Sequence, residues 1–182
     1  MKRPFIVYLL GYPGVGKYTV ARALAAQTGA VVIDNQLVNN PILALFNGAL
    51  DLPAEVFTRT APIRDAVFSA LEEIAPPSMS YVFTNVIAET PEDVAIYDRL
   101  RDIAASRGSI FLPVMLTCAR DVQLERVQAE ERRARLKVSD PEWLDRFMAS
   151  VPLHSPEGVM TLDTTDATPE QNAVAIVERL RR

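Results

Sequence analysis

The segment Gly11-Tyr12-Pro13-Gly14-Val15-Gly16-Lys17 spaces glycines and a lysine as Gly-x4-Gly-Lys. Glycines at that spacing let a backbone curl until successive N–H groups point inward, which makes a concavity for phosphate oxygens. Lys17 adds a point charge suited to β- and γ-phosphates, and a helix opening there adds the positive end of its dipole. An ordinary glycine turn is the plain alternative. The apolar run Phe5–Leu10 before the loop and an alanine-rich stretch after it favour the phosphate site. Gly11, Pro13, Gly14, Val15, Gly16, Lys17, Tyr18 and Thr19 are therefore the candidate nucleotide-binding residues. Residue 18 departs from the pattern, which calls for a Ser or Thr whose hydroxyl ligates Mg²⁺. A tyrosine hydroxyl lies several ångströms too far from the backbone for that position, and Thr19 is turned from it by about 100° around the helix. A metal ion must then be held differently or held weakly, with Thr19 one candidate ligand.

The elements that would position this loop follow from hydrophobic patterning. Phe5–Leu10 reads as a fully buried strand, and Lys17–Thr28 as a helix. Further strands are expected at Ala30–Ile33, Tyr81–Ile87, Ser109–Thr117 and Val159–Leu162. Helical stretches lie between them: a region from about Asn39, broken near Asp51-Leu52-Pro53, then Val56–Ile74, Pro91–Ser106, Asp121–Leu136, Pro141–Ala149 and Pro169–Leu180. Pro91 opens one helix and Gly108 follows its end, the usual asymmetry of helix termini. Strands without strict polar alternation, separated by helices, define a three-layer α/β domain with a parallel sheet covered on both faces. In such sheets ligands bind at the carboxyl ends of the strands.

With 182 residues, 49% apolar and 23% charged, the chain falls in the range of one globular domain. Its net charge of −4 and the lack of a long basic stretch argue against nucleic acid as a partner. The apolar runs are too short to span a bilayer, and Lys2-Arg3-Pro4 leads into a run without a cleavage site, so membrane association and secretion are not expected. The single cysteine, Cys118, permits no internal disulfide, and the expected location is the cytoplasm. His154, the only histidine, sits in a Pro-rich connection, which supports neither a zinc site nor a Ser-His-Asp arrangement.

On the loop Gly11–Thr19 and the run Asp34-Asn35-Gln36, the chain resembles the P-loop small-molecule kinases: nucleoside monophosphate, shikimate and gluconate kinases and chloramphenicol phosphotransferase. It is most similar there to uncharacterised bacterial kinase-like ATPases. The resemblance spans most of the chain. It implies a P-loop NTPase fold with a five-stranded parallel sheet in the order 2-3-1-4-5, an acceptor-binding helical region about residues 38–75 and a lid about residues 120–140. It also implies ATP as phosphoryl donor, Mg²⁺, and a small-molecule acceptor, in a monomer or homodimer.

Asp34 stands where the resembling kinases carry a carboxylate that orients or deprotonates the acceptor hydroxyl; it is also a second candidate for the metal, and a simple turn cap is the alternative. The basic stretch Arg120, Arg126, Arg132, Arg133, Arg135 and Lys137 resembles a lid. Arg126 matches the arginine that covers adenine, and Arg132 or Arg133 the one that reaches the phosphates. Arg120, Arg135 and Lys137 are assigned to a solvated face with helical pairs such as Glu131–Arg135. The loop Leu162–Pro169, with Asp166 and Ala167, matches the segment that packs against adenine, while Thr168-Pro169 is also a good helix start. Shikimate-type and nucleoside-monophosphate-type acceptor motifs are missing: Asp34-Asn35-Gln36 and Thr84-Asn85-Val86 stand in their places. Thr84, Asn85, Arg59 and Arg64 remain as possible acceptor contacts. A nucleotide-binding protein without kinase activity, a sensor or regulator, is the alternative that Tyr18 motivates.

Overall fold

The computed structural model describes residues 3–47, 52–53, 55–134 and 136–182, without the side chains of residues 131 and 133. Among them a parallel five-stranded sheet runs in the order β2-β3-β1-β4-β5. Its strands are β1 (Phe5–Leu10), β2 (Val31–Asp34), β3 (Tyr81–Thr84), β4 (Ile110–Thr117) and β5 (Met160–Asp163). The helices are α1 (Lys17–Thr28), α2 (Gln36–Leu43), α3 (Glu55–Glu73), α4 (Pro91–Ser106), α5 (Arg120–Gln128), α6 (Glu130–Ala134), α7 (Pro141–Ser150) and α8 (Pro169–Leu180). None of the described helices is long and apolar enough to cross a membrane.

β1 is buried along its whole length because it is central and both its faces are covered. Its side chains alternate between two cores, as the two-residue period of a strand requires. Phe5, Val7 and Leu9 pack with Val20 and Leu24 of α1 and Ala173 and Ile176 of α8. Ile6, Tyr8 and Leu10 pack on the other face with Phe68 and Leu71 of α3 and Leu100 and Ile103 of α4. Helix ends follow local signals. Gly29 closes α1 at φ 75°, with its N–H on the Ala25 carbonyl. The Thr90 hydroxyl caps α4 by accepting from the Asp93 amide, and Thr168 and Gln171 form a reciprocal capping box at α8.

Boundaries differ from the sequence expectation in places that matter for function. β2 starts at Val31, one residue after Ala30, and ends at Asp34, the strand end expected for this carboxylate, in register with Thr84 of β3. β3 stops at Thr84, short of the expected Ile87. α2 begins at Gln36, ahead of Asn39, and the expected break at residues 51–53 falls partly outside the described residues. The single helix expected over Asp121–Leu136 is two pieces. Ala129 leaves the helical region at ψ 134°, α6 restarts at Glu130, and Leu136 takes φ 54°. No proline or glycine causes the break. Tertiary packing does: Val127 of α5 is fully buried against the glycine loop, whereas Lys137, beyond α6, must reach the end of β2.

Candidate functional site

The loop between β1 and α1 is held on three sides. Gly11, Gly14 and Gly16 have φ of 137°, 90° and 87°, a region that disfavours any side chain. A Cβ on Gly11 would lie 2.5 Å from the Leu116 carbonyl oxygen of β4. One on Gly14 would lie 2.8 Å from Val127 Cγ2 and 2.9 Å from Gln123 Cγ, so α5 rests directly on the loop. Buried Gln123 also donates from Nε2 to the Pro13 carbonyl at 2.7 Å. Tyr12 fastens the outer side: its hydroxyl donates to the Val151 carbonyl at 2.8 Å, and its ring meets Phe147 of α7 edge-on. Trp143 stacks on Phe147 behind it.

Thr164, at the start of the β5–α8 loop, is a buried hub. Its hydroxyl lies 3.0 Å from the Val15 carbonyl and 3.1 Å from the Thr117 carbonyl, and it accepts from Arg126 Nη1 at 2.9 Å. Arg126 Nη2 donates to the Thr164 carbonyl at 2.8 Å. The Arg126 guanidinium is thereby fixed beside Gly16, where the loop enters α1. Asp166 is exposed and Ala167 half-buried on the same connection. Thr165 ties that connection to the start of α5 by accepting the Ala119 amide.

Lys17 curls back over the loop, donating from Nζ to the Gly11 carbonyl at 2.5 Å and the Tyr12 carbonyl at 2.8 Å. Burial pushes its ammonium down to about 7; Lys137 and then Arg132 push in the same direction, and Asp34 opposes them. Asp34 is buried at the carboxyl end of β2. Its Oδ1 accepts from the Thr84 hydroxyl at 2.7 Å, and its Oδ2 pairs with Lys137 Nζ at 2.9 Å. Thr84 Oγ1 also receives the Asn35 amide, so the strand register itself aims the carboxylate. The Lys137 ammonium lies 4.9 Å from the centroid of the Tyr18 ring. Arg132 forks onto the Val138 carbonyl through Nε and Nη2, and burial lowers its guanidinium while Asp34 raises it.

The structure thus gathers Lys17, Asp34, Arg132 and the glycine loop at one end of the sheet, with Arg126 on the α8 side. Lys137 corrects the sequence assignment. It is not on a solvated face: its side chain is 15% exposed and ion-paired with Asp34. Arg120 likewise is paired, with Asp145 of α7. The side chain of Arg133 and the pair Glu131–Arg135 lie outside the described residues. Thr84 serves Asp34, and Asn85 donates to the Tyr8 hydroxyl at 2.9 Å. Arg59 is exposed on α3 and Arg64 half-buried. The sequence singles out neither Gln123 nor Lys137 as functional, and it marks Thr164 only as part of the Leu162–Pro169 loop, not as the anchor of Arg126. Their partners lie 110, 103 and 149 residues away, beyond the reach of local spacing.

These residues do not fit a metal ion held by the protein. The position of the Ser or Thr ligand carries Tyr18, whose ring faces an ammonium. Both oxygens of Asp34 are engaged, one by a hydroxyl and one by a cation. Thr19 is exposed on α1. Among the described residues no three His, Cys, Asp or Glu side chains gather in a group that could hold a metal.

No protein-family model matches the chain, and no curated protein matches it in sequence. Solved structures do match in fold. A gluconokinase from Sinorhizobium meliloti 1021 superimposes with a TM-score of 0.66 at 20% identity, covering 99% of this chain and 95% of that one. An APS kinase from Mycobacterium tuberculosis, in complex with AMPPNP and APS, matches with a TM-score of 0.60 at 17% identity over 100% of both chains. The Deinococcus radiodurans tunicamycin resistance protein matches with a TM-score of 0.57 at 19% identity over 97% and 95%. The chain therefore has the fold of the P-loop small-molecule kinases, with the strand order expected for it.

Proposed function

We propose that the protein transfers the γ-phosphoryl group of ATP to a hydroxyl of a small-molecule acceptor, in the cytoplasm. The observation that carries this reading is the convergence of Lys17 and Asp34. A phosphate-binding lysine and a buried carboxylate, aimed by Thr84, share one electrostatic environment at the carboxyl end of the sheet. Phosphoryl transfer asks a protein mainly to position reactants and neutralise charge, and this end of the sheet has the parts for both.

In this mechanism the loop N–H groups and Lys17 hold the β- and γ-phosphates, and Arg126, anchored on Thr164, lies over the base with Asp166 and Ala167 alongside. The loop carbonyls that hold Lys17 release it when phosphate oxygens replace them. The acceptor oxygen attacks the γ-phosphorus, the bond to the β-phosphate oxygen breaks, and the hydroxyl proton passes to Asp34 as ADP leaves. Arg132, with Arg133 as its sequence-assigned companion, offsets the charge on the transferred group. Gln36, the first residue of α2, has a buried Oε1 without a hydrogen-bond partner among the described residues; it is an acceptor suited to a substrate O–H or N–H.

Screening hydroxylated acceptors for ADP formation with the wild type and Asp34→Asn tests the assignment. Turnover in the variant should fall by about 10²-fold or more, the usual range for loss of a general base, with ATP affinity changed far less. Equal loss of both would make Asp34 a structural residue. The second reading is a nucleotide-binding regulator without turnover, and the contact of Lys137 with Asp34 favours it. It predicts ATP binding with no ADP formed from any acceptor.

A further inference from the structure

We propose that the Lys137 ammonium takes the place of the protein-bound metal ion in this site, so that the chain binds nucleoside triphosphate largely independently of Mg²⁺. The inference rests on the nucleotide-binding reading given above and adds the source of the second cation.

Three observations meet at one point. The position that would supply a short hydroxyl to the metal is taken by Tyr18, and the Lys137 ammonium lies over its ring, 4.9 Å from the centroid and within the range of cation–π attraction. The carboxylate that would complete the ligand set already binds a cation, since Lys137 Nζ is 2.9 Å from Asp34 Oδ2. The fold also goes to some length to place that cation. The helix over Asp121–Leu136 is broken at Ala129 and turned at Leu136, and the Lys137 amide is pinned to the Arg132 carbonyl at 2.9 Å. The ammonium is largely withdrawn from solvent, where its interaction with an anion is less screened than at the surface.

The charges are consistent with this. Arg132 and Lys137, joined by Lys17 once bound phosphate has protonated it, set three positive charges against the one negative charge of Asp34, and Lys17 lies close enough to be acted on by all three of the others. A triphosphate brings about four negative charges at neutral pH, and the surplus of positive charge is what it would otherwise draw from Mg²⁺. An ammonium differs from a metal ion in having only hydrogen-bond donors, so it can bridge Asp34 and a γ-phosphate oxygen without a fixed coordination geometry.

Calorimetric titration of the full chain with ATP, in chelator and in Mg²⁺, tests the proposal on wild type, Lys137→Ala, Lys137→Arg and the double variant Tyr18→Ser/Lys137→Ala. Thermal melting of each variant confirms that it is folded. The wild type should bind within about threefold under both conditions. Lys137→Ala should lose about 10- to 100-fold in chelator, the range of one charged hydrogen bond, and Lys137→Arg should keep most of the affinity. The double variant, with the hydroxyl restored and the ammonium removed, should bind ATP much better with Mg²⁺ than without. Wild-type binding that requires Mg²⁺, or a Lys137→Ala variant unchanged in chelator, would overturn the metal replacement and leave the nucleotide reading standing. Absence of ATP binding by the wild type under either condition would overturn both.

Discussion

ATP binding should draw a proton onto Lys17. In the free protein its ammonium is pushed down to about 7, first by burial and then by Lys137 and Arg132, against the pull of Asp34. Phosphate oxygens reverse that balance, because opposite charges at hydrogen-bond distance favour the protonated amine. At pH 8.5, about 1.5 units above the free value, only about 3% of free Lys17 carries its proton, so binding should take up close to one proton per ATP. Over the same range apparent affinity should fall about tenfold for each unit of rising pH. Titration calorimetry at pH 8.5 in two buffers of different ionisation enthalpy reads the uptake directly. The phosphate chain is fully ionised there, its last pKa lying near 6, so it contributes no proton of its own. Lys17→Met should bind more weakly and show no uptake. The reasoning fails if the wild type binds at pH 8.5 without taking up a proton, or if its affinity is flat between pH 7 and 9. Stability of the free protein should follow the same group with a defined sign. The unfolded chain, with Lys17 at 10.5, binds more protons than the folded one between about 7 and 10.5, so this group's contribution to stability rises with pH across that window.

Two further outcomes bear on the scaffold. Gly14→Ala should cost more than about 2 kcal/mol in denaturant unfolding, since a positive φ is combined with overlap on Gln123 and Val127; Gly29→Ala, with open space around it, should cost only the left-handed penalty of about 1–2 kcal/mol. Equal losses would mean that α5 does not press on the loop. Thr164→Val should remove the hydroxyl that joins Val15, Thr117 and Arg126 and cost about 1–3 kcal/mol, with a matching loss of ATP affinity. Stability lost with affinity unchanged would show that Arg126 needs no anchor to hold nucleotide.

Much of the fold was legible because the signals are local. β1 is an uninterrupted apolar run, α1 ends at Gly29, α4 opens at Thr90-Pro91 with Gly108 past its end, and α8 opens at the Thr168-Pro169 cap. Each such signal acts over one turn of helix or a few residues of strand, which a linear reading contains. The glycine loop is of the same kind: its φ values belong to Gly11, Gly14 and Gly16 themselves. The helix break at Ala129 was not legible, since Gln128-Ala129-Glu130-Glu131 has no residue that disfavours helix.

The residues Gly11–Thr19 and Asp34 by themselves determined where phosphate chemistry would be sought and what kind of group would stand opposite it. Only the tertiary structure decided which cation meets that carboxylate. Lys137 and Asp34 are 103 residues apart, and neither has a pattern around it that names the other. They meet because the parallel register of β2 on β3 turns Asp34 toward Thr84, and because packing of α5 on the loop forces the chain beyond Gln128 into a second, short helix. Backbone hydrogen bonds and caps act between near neighbours in sequence, whereas charge pairing in a buried site depends on distance in space, and that distance is set by the packing of the whole domain.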